Sequence, residues 1–182
     1  IVDTAYSRID TLRAEGGRLS YELRPDTTVE LLLVFPGGRS ATVFAEPGAH
    51  TTLAADTARW DSLRLSGGPL NDALQQFADS TRGWDAASVR RAVKDYIGRH
   101  PFSPVGAHLL EKHYARLPHP PYAAIDSCIE LMSGRLQDNP TVQALSARLD
   151  DVMKADTGRY ISSFRTRGAD GKYINAYQHG GK

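Results

Sequence analysis

The side chains able to do chemistry in this 182-residue chain are six histidines, a single cysteine, 21 carboxylates and two tryptophans. Histidine is the commonest acid–base group and metal ligand, and His100, His108, His113 and His119 crowd into one stretch. Two zinc-binding histidines on one helical face must be three or four positions apart. His108 and His113 are five apart, and Glu111 between them does not complete a His-Glu-x-x-His motif. The spacing therefore predicts solvated histidines around a proline-bounded helix, and no metal ligands. Asp10, Glu15, Asp61 and Asp72 are scattered near turns, and Asp26 and Asp56 read as turn residues. No serine occupies a Gly-x-Ser-x-Gly elbow, since Ser66-Gly67-Gly68 lacks the flanking glycine spacing. Neither a Walker loop nor a Gly-x-Gly-x-x-Gly fingerprint is present, so nucleotide binding has no support. Catalytic, cofactor-binding and metal-ligating residues are all expected to be absent. A hydrolase stays open only if folding gathers a histidine, a carboxylate and a serine into one cleft.

Cys128 sits among Ala124, Ile125, Ile129 and Met132, the setting of a small core residue. As the single cysteine it excludes an intrachain disulfide and a cysteine zinc cluster. Trp60 and Trp84 fall where a strand-like region gives way to a helical one. They are the two candidate ligand or interface residues, because tryptophan joins a large apolar face to a polar edge. The formal charge of +1, from 22 basic and 21 acidic residues, speaks against a nucleic-acid partner. Arg90-Arg91 and Arg165-Thr166-Arg167 are too short to form a basic stripe. No apolar run approaches the length of a membrane span.

The elements that must position these groups fall into two grammars. Residues 9–14 and 18–23 flank Glu15-Gly16-Gly17 as a hairpin would, with Pro25-Asp26 making the next turn. Residues 29–35 form a nearly continuous apolar run, which predicts a central strand covered on both faces. Strands are also expected at 41–45, 51–54 and 62–66, with Leu63 and Leu65 on one face of the last. After Gly67-Gly68-Pro69 the period becomes helical: Leu70, Ala73, Leu74 and Phe77 recur at helix spacing. Asp85 is a good N-cap for a second helix striped with Val89, Ala92, Val93, Tyr96 and Ile97, which His100-Pro101 ends. Ser103-Pro104 opens a third, residues 122–132 make a fourth, and a fifth follows Asn139-Pro140. The fold expected is α+β: an antiparallel sheet or sandwich of about six strands, then a bundle of about five short helices and a C-terminal β-hairpin. The division expected is 1–68 for the β segment, 69–158 for the helices and 159–182 for a hairpin, with strands at 160–164 and 172–176.

The order of these features resembles the uncharacterised N-terminal domain that precedes thioredoxin-like domains of the TlpA/ResA type (AhpC/TSA-like) in envelope proteins of Gram-negative bacteria. The resemblance rests on Ala14-Glu15-Gly16-Gly17-Arg18-Leu19, on Glu46-Pro47-Gly48 before Thr51-Thr52-Leu53, and on Leu65-Ser66-Gly67-Gly68-Pro69-Leu70-Asn71. It continues through His100-Pro101-Phe102-Ser103-Pro104 and Leu109-Leu110-Glu111. Phe164, Asp170-Gly171-Lys172 and Gly181-Lys182 look like the start of a thioredoxin-like domain, whose Cys-x-x-Cys would follow. The resemblance implies a periplasmic or envelope protein, a candidate for lipid anchoring, and a truncated opening hairpin at 159–182. It implies a non-catalytic accessory domain that positions substrates of a thiol-disulfide oxidoreductase, with no cofactor of its own. Its partners would be a thioredoxin-like domain C-terminal to it and that domain's protein substrates. The alternative is a free-standing periplasmic module that binds a glycan or peptide.

Overall fold

Proline and aspartate place the helices. The computed structural model describes residues 9–56, 59–154, 165–167 and 173–175. Helix α1, Pro69–Ser80, starts with proline in its first turn, where no amide hydrogen is needed, and buries Asn71 and Phe77. Helix α2, Ala86–Arg99, is capped by Asp85, whose carboxylate accepts from the amides of Ala87 and Ser88. The Ser88 hydroxyl, followed by those amide bonds, holds the Asp85 carboxyl below its usual range. The α2 stripe ends in Val93 and Ile97, both fully buried, and the helix stops at His100 before Pro101.

Helix α3, Pro104–Leu110, is the central element, with every residue from Val105 to Leu110 buried. It runs on without a break into a π-helical turn, Glu111–Ala115. It passes close to α2 at Gly106, where a Cβ would lie 3.2 Å from Ile97 Cγ1. Helices α4 (Tyr122–Glu130) and α6 (Pro140–Lys154) close the core with Ile125, Cys128, Val142, Leu145 and Leu149. Between them lies α5, Gly134–Gln137, capped by Ser133. The described residues thus hold six α-helices rather than the five expected. The extra one is a single turn that carries no full apolar period, so periodicity could not show it.

The strands depart further from expectation. They form separate two-stranded antiparallel ribbons, and neither a six-stranded sheet nor a sandwich exists among the described residues. Strands β1 (Val29–Val34) and β2 (Ser40–Ala45) pair from Val29↔Ala45 to Val34↔Ser40. Strands β3 (Thr52–Ala54) and β4 (Arg64–Ser66) make a second ribbon. Strands β5 (Arg165–Arg167) and β6 (Tyr173–Asn175) make a third. Of the expected C-terminal strands, 160–164 lies outside the described residues, and β6 falls within 172–176.

Two corrections have a clear cause. The expected hairpin of 9–14 with 18–23 reduces to one bridge, Glu15↔Arg18, around Gly16 and Gly17 at φ 55° and 74°. The turn forms because glycine tolerates positive φ, but the arms have no face to bury, with Ile9 87% exposed and Leu19 49% exposed. Likewise β1 is not central: among the described residues it pairs only with β2, and Val34 is 70% exposed. None of its six residues is fully buried, and the buried residues of the ribbon, Val43 and Phe44, both belong to β2. The ribbon's packed face supplies Phe44, 1% exposed, to the same core cluster as the helices. No helix among the described residues is long and apolar enough to cross a membrane.

Candidate functional site

Glu30 is the one charged residue inside β1, and it stands directly across from Phe44 on β2. Residues paired across a ribbon share a face. Phe44 faces the helical core, so Glu30 is turned toward the helices as well. There it meets His108 of α3: Nδ1 of the imidazole lies 2.8 Å from Oε1 of Glu30. His108 is 5% exposed, and its ring meets Phe44 edge-on, with centroids 6.2 Å apart at 86°. An ionised carboxylate only accepts, so Nδ1 carries the hydrogen in this bond.

Glu111 follows His108 by three positions, the spacing that brings two side chains onto one face of a helix. It begins the π-helical turn, and such turns are frequent at functional sites. Arg116 donates to Glu111 Oε1 from Nε at 3.1 Å and from Nη2 at 2.9 Å. One ligand-capable atom from each of Glu30, His108 and Glu111 lies within 4.8 Å of the other two. The group offers an imidazole–carboxylate proton relay or three metal ligands, and it includes no nucleophile.

The ribbon that presents Glu30 is held by Asn71, which is fully buried on α1. Its Oδ1 accepts from the Phe44 amide at 2.8 Å, and its Nδ2 donates to the Phe44 carbonyl at 2.8 Å and to the Gly67 carbonyl at 2.9 Å. The amide does for β2 what a third strand would do, pairing both polar groups of one edge residue. Glu46 adds a second tie from the ribbon to α1, accepting from the Leu70 amide at 3.1 Å.

The residues singled out in the sequence are placed apart. Trp60 opens a short 3-10 turn, Trp60–Ser62, where its ring meets Phe35 edge-on at 4.8 Å with the Arg39 guanidinium 5.7 Å above it. It braces the tip of the β1–β2 hairpin. Trp84 sits in the α1–α2 turn, 52% exposed. Among the described residues the two indoles make no ring contact with each other. Cys128 is fully buried, and burial pushes its thiol pKa up.

The expectation of solvated histidines holds for His100 and His119, which are exposed, and fails for His108 and His113. His113 is partly buried against Phe77, with ring centroids 6.3 Å apart. Its pKa falls from 6.5 to about 4, first through burial and then through the positive neighbours Lys112, His108 and Arg90. The unfolded chain binds this proton more readily, so the contribution is intact above pH 6.5 and is lost as pH falls toward about 4. Urea midpoints measured from pH 7 to pH 4 should fall less steeply for His113→Gln than for the wild type. Parallel curves for the two proteins would remove this role.

The signal for the Glu30–His108–Glu111 group was present but divided. A glutamate interrupts the apolar run Val29–Val34, and His108-Leu109-Leu110-Glu111 has the i, i+3 spacing. Spacing among histidines alone could not find it, because the third member comes from a strand 78 residues before His108. No protein family, curated protein or solved structure matches the chain.

Proposed function

We propose that the chain is a non-catalytic accessory domain that holds or positions protein substrates for a thioredoxin-like domain of a bacterial envelope thiol-disulfide oxidoreductase. The observation that carries this reading is the antiparallel pair β5–β6, which brackets Asp170-Gly171-Lys172 where the resemblance locates the opening of that fold. The burial of Cys128 agrees with it, since a sealed, raised thiol is a poor nucleophile and gives the chain no redox centre. Sequencing the transcript past the Lys182 codon tests the reading. A Cys-x-x-Cys pair is expected within about forty codons, in the setting of a thioredoxin-like motif. A reading frame that continues or stops without that pair removes the redox connection.

A free-standing periplasmic glycan- or peptide-binding module is the second reading, favoured by the 52% exposure of the Trp84 indole. A ligand selective for the folded state raises the melting temperature. A panel of glycans and peptides should then contain one that does so for the wild type and not for Trp84→Ala. A panel that leaves the wild type unmoved counts against this reading.

A further inference from the structure

We propose that Glu30, His108 and Glu111 bind one divalent first-row transition-metal ion, with zinc as the probe. This goes beyond the accessory-domain reading and does not depend on it. An ion bound to nitrogen and oxygen at about 2.0–2.2 Å keeps its tetrahedral ligand atoms roughly 3.4 Å from one another. Glu30 Oε1 and His108 Nδ1 are already 2.8 Å apart, and all three ligand atoms lie within 4.8 Å of one another. Rotation of the two glutamates, whose side chains are 34% and 19% exposed, closes the remaining gap without moving the backbone. The imidazole needs no such freedom. It is fixed on the buried face of α3 beneath Phe44.

Two carboxylates neutralise a divalent charge, and the hydrogen on Nδ1 leaves as the ion takes its place. One imidazole with two carboxylates suits zinc, manganese or ferrous iron better than the all-oxygen preference of calcium. The exposed side of Glu30 gives the ion its path in and leaves room for water as the remaining ligand. Arg116, half exposed and bonded to Glu111 Oε1, orients that carboxylate from outside.

Isothermal titration of zinc chloride into the untagged protein tests this, with cobalt(II) absorption as the report on coordination. The wild type should bind one ion per chain. Glu30→Gln and Glu111→Gln should each weaken binding at least about tenfold. Glu111→Gln is the deciding variant, because the His108–Glu30 bond does not involve that carboxylate and circular dichroism can confirm an intact fold. A double variant of the exposed histidines, His100→Gln with His119→Gln, should bind as the wild type does. The proposal is overturned if no saturable binding is seen or if binding survives Glu111→Gln. Loss of binding in the His100/His119 variant also overturns it.

Discussion

Replacing Asn71 by alanine should cost about 3 kcal/mol of stability, because each buried polar group left without a partner costs roughly 1–3 kcal/mol. Two such groups, the amide and the carbonyl of Phe44, depend on this one side chain, and Asn71 is fully buried so water cannot replace it. The Gly67 carbonyl retains the Thr51 hydroxyl at 3.1 Å and suffers less. Against a typical stability of about 5–15 kcal/mol this is a large share. Asn71→Asp should be no milder at neutral pH, since it turns a donor into an anionic oxygen facing two carbonyls. Gln75→Ala is the comparison: Gln75 also bonds a backbone amide, that of Leu65 at 2.8 Å, but from a half-buried position. It should cost about 1 kcal/mol. Urea denaturation of the three variants against the wild type measures all of this, and an Asn71→Ala loss below about 1 kcal/mol would contradict the proposed tie.

Gly67→Ala should be equally severe, by a different route. Gly67 has φ +94°, outside what a side-chain-bearing residue adopts without strain, and a Cβ there would lie 2.0 Å from the carbonyl oxygen of His50. The obstacle is backbone, so the β3–β4 ribbon or the start of α1 must shift, carrying with it the carbonyl that Asn71 and Thr51 share. A loss of about 3 kcal/mol or more, or failure to accumulate folded protein, is expected. Gly83→Ala calibrates the strain alone: φ is +78° and nothing lies within 4 Å, so the cost should stay near 1–2 kcal/mol, roughly the left-handed penalty. Equal losses at the two glycines would show that the His50 contact does not matter. Because Gly67 and Asn71 meet in one network, Gly67→Ala with Asn71→Ala should cost less than the sum of the two.

The helices were legible because their ends are written in local chemistry. Asp85 caps α2, Pro69 and Pro104 open α1 and α3, and Pro101 closes α2. These signals act within a turn and need no knowledge of the rest of the chain. Strand pairing needs that knowledge. The glycine turn at Gly16-Gly17 was visible, but nothing local says whether Ile9 and Leu19 will find a surface to cover. The apolar run of β1 was read as two buried faces, when none of its residues is fully buried and the edge of β2 is closed by a helix side chain. The same distance effect hid the candidate site. His108 was weighed against the histidine nearest in sequence, while its partner is a strand glutamate that only folding brings within 2.8 Å.

The burial of Cys128 makes the chain report on its own opening. A thiol with no solvent exposure and a raised pKa reacts with an alkylating reagent only after the helices around it part. Labelling of this single thiol therefore counts excursions from the closed state, and its rate in dilute denaturant gives the free energy of the least costly opening that exposes Cys128. The same fact sets a deadline during folding. Until the core closes over it, the thiol is open to oxidants and to foreign thiols, and afterwards it is beyond their reach.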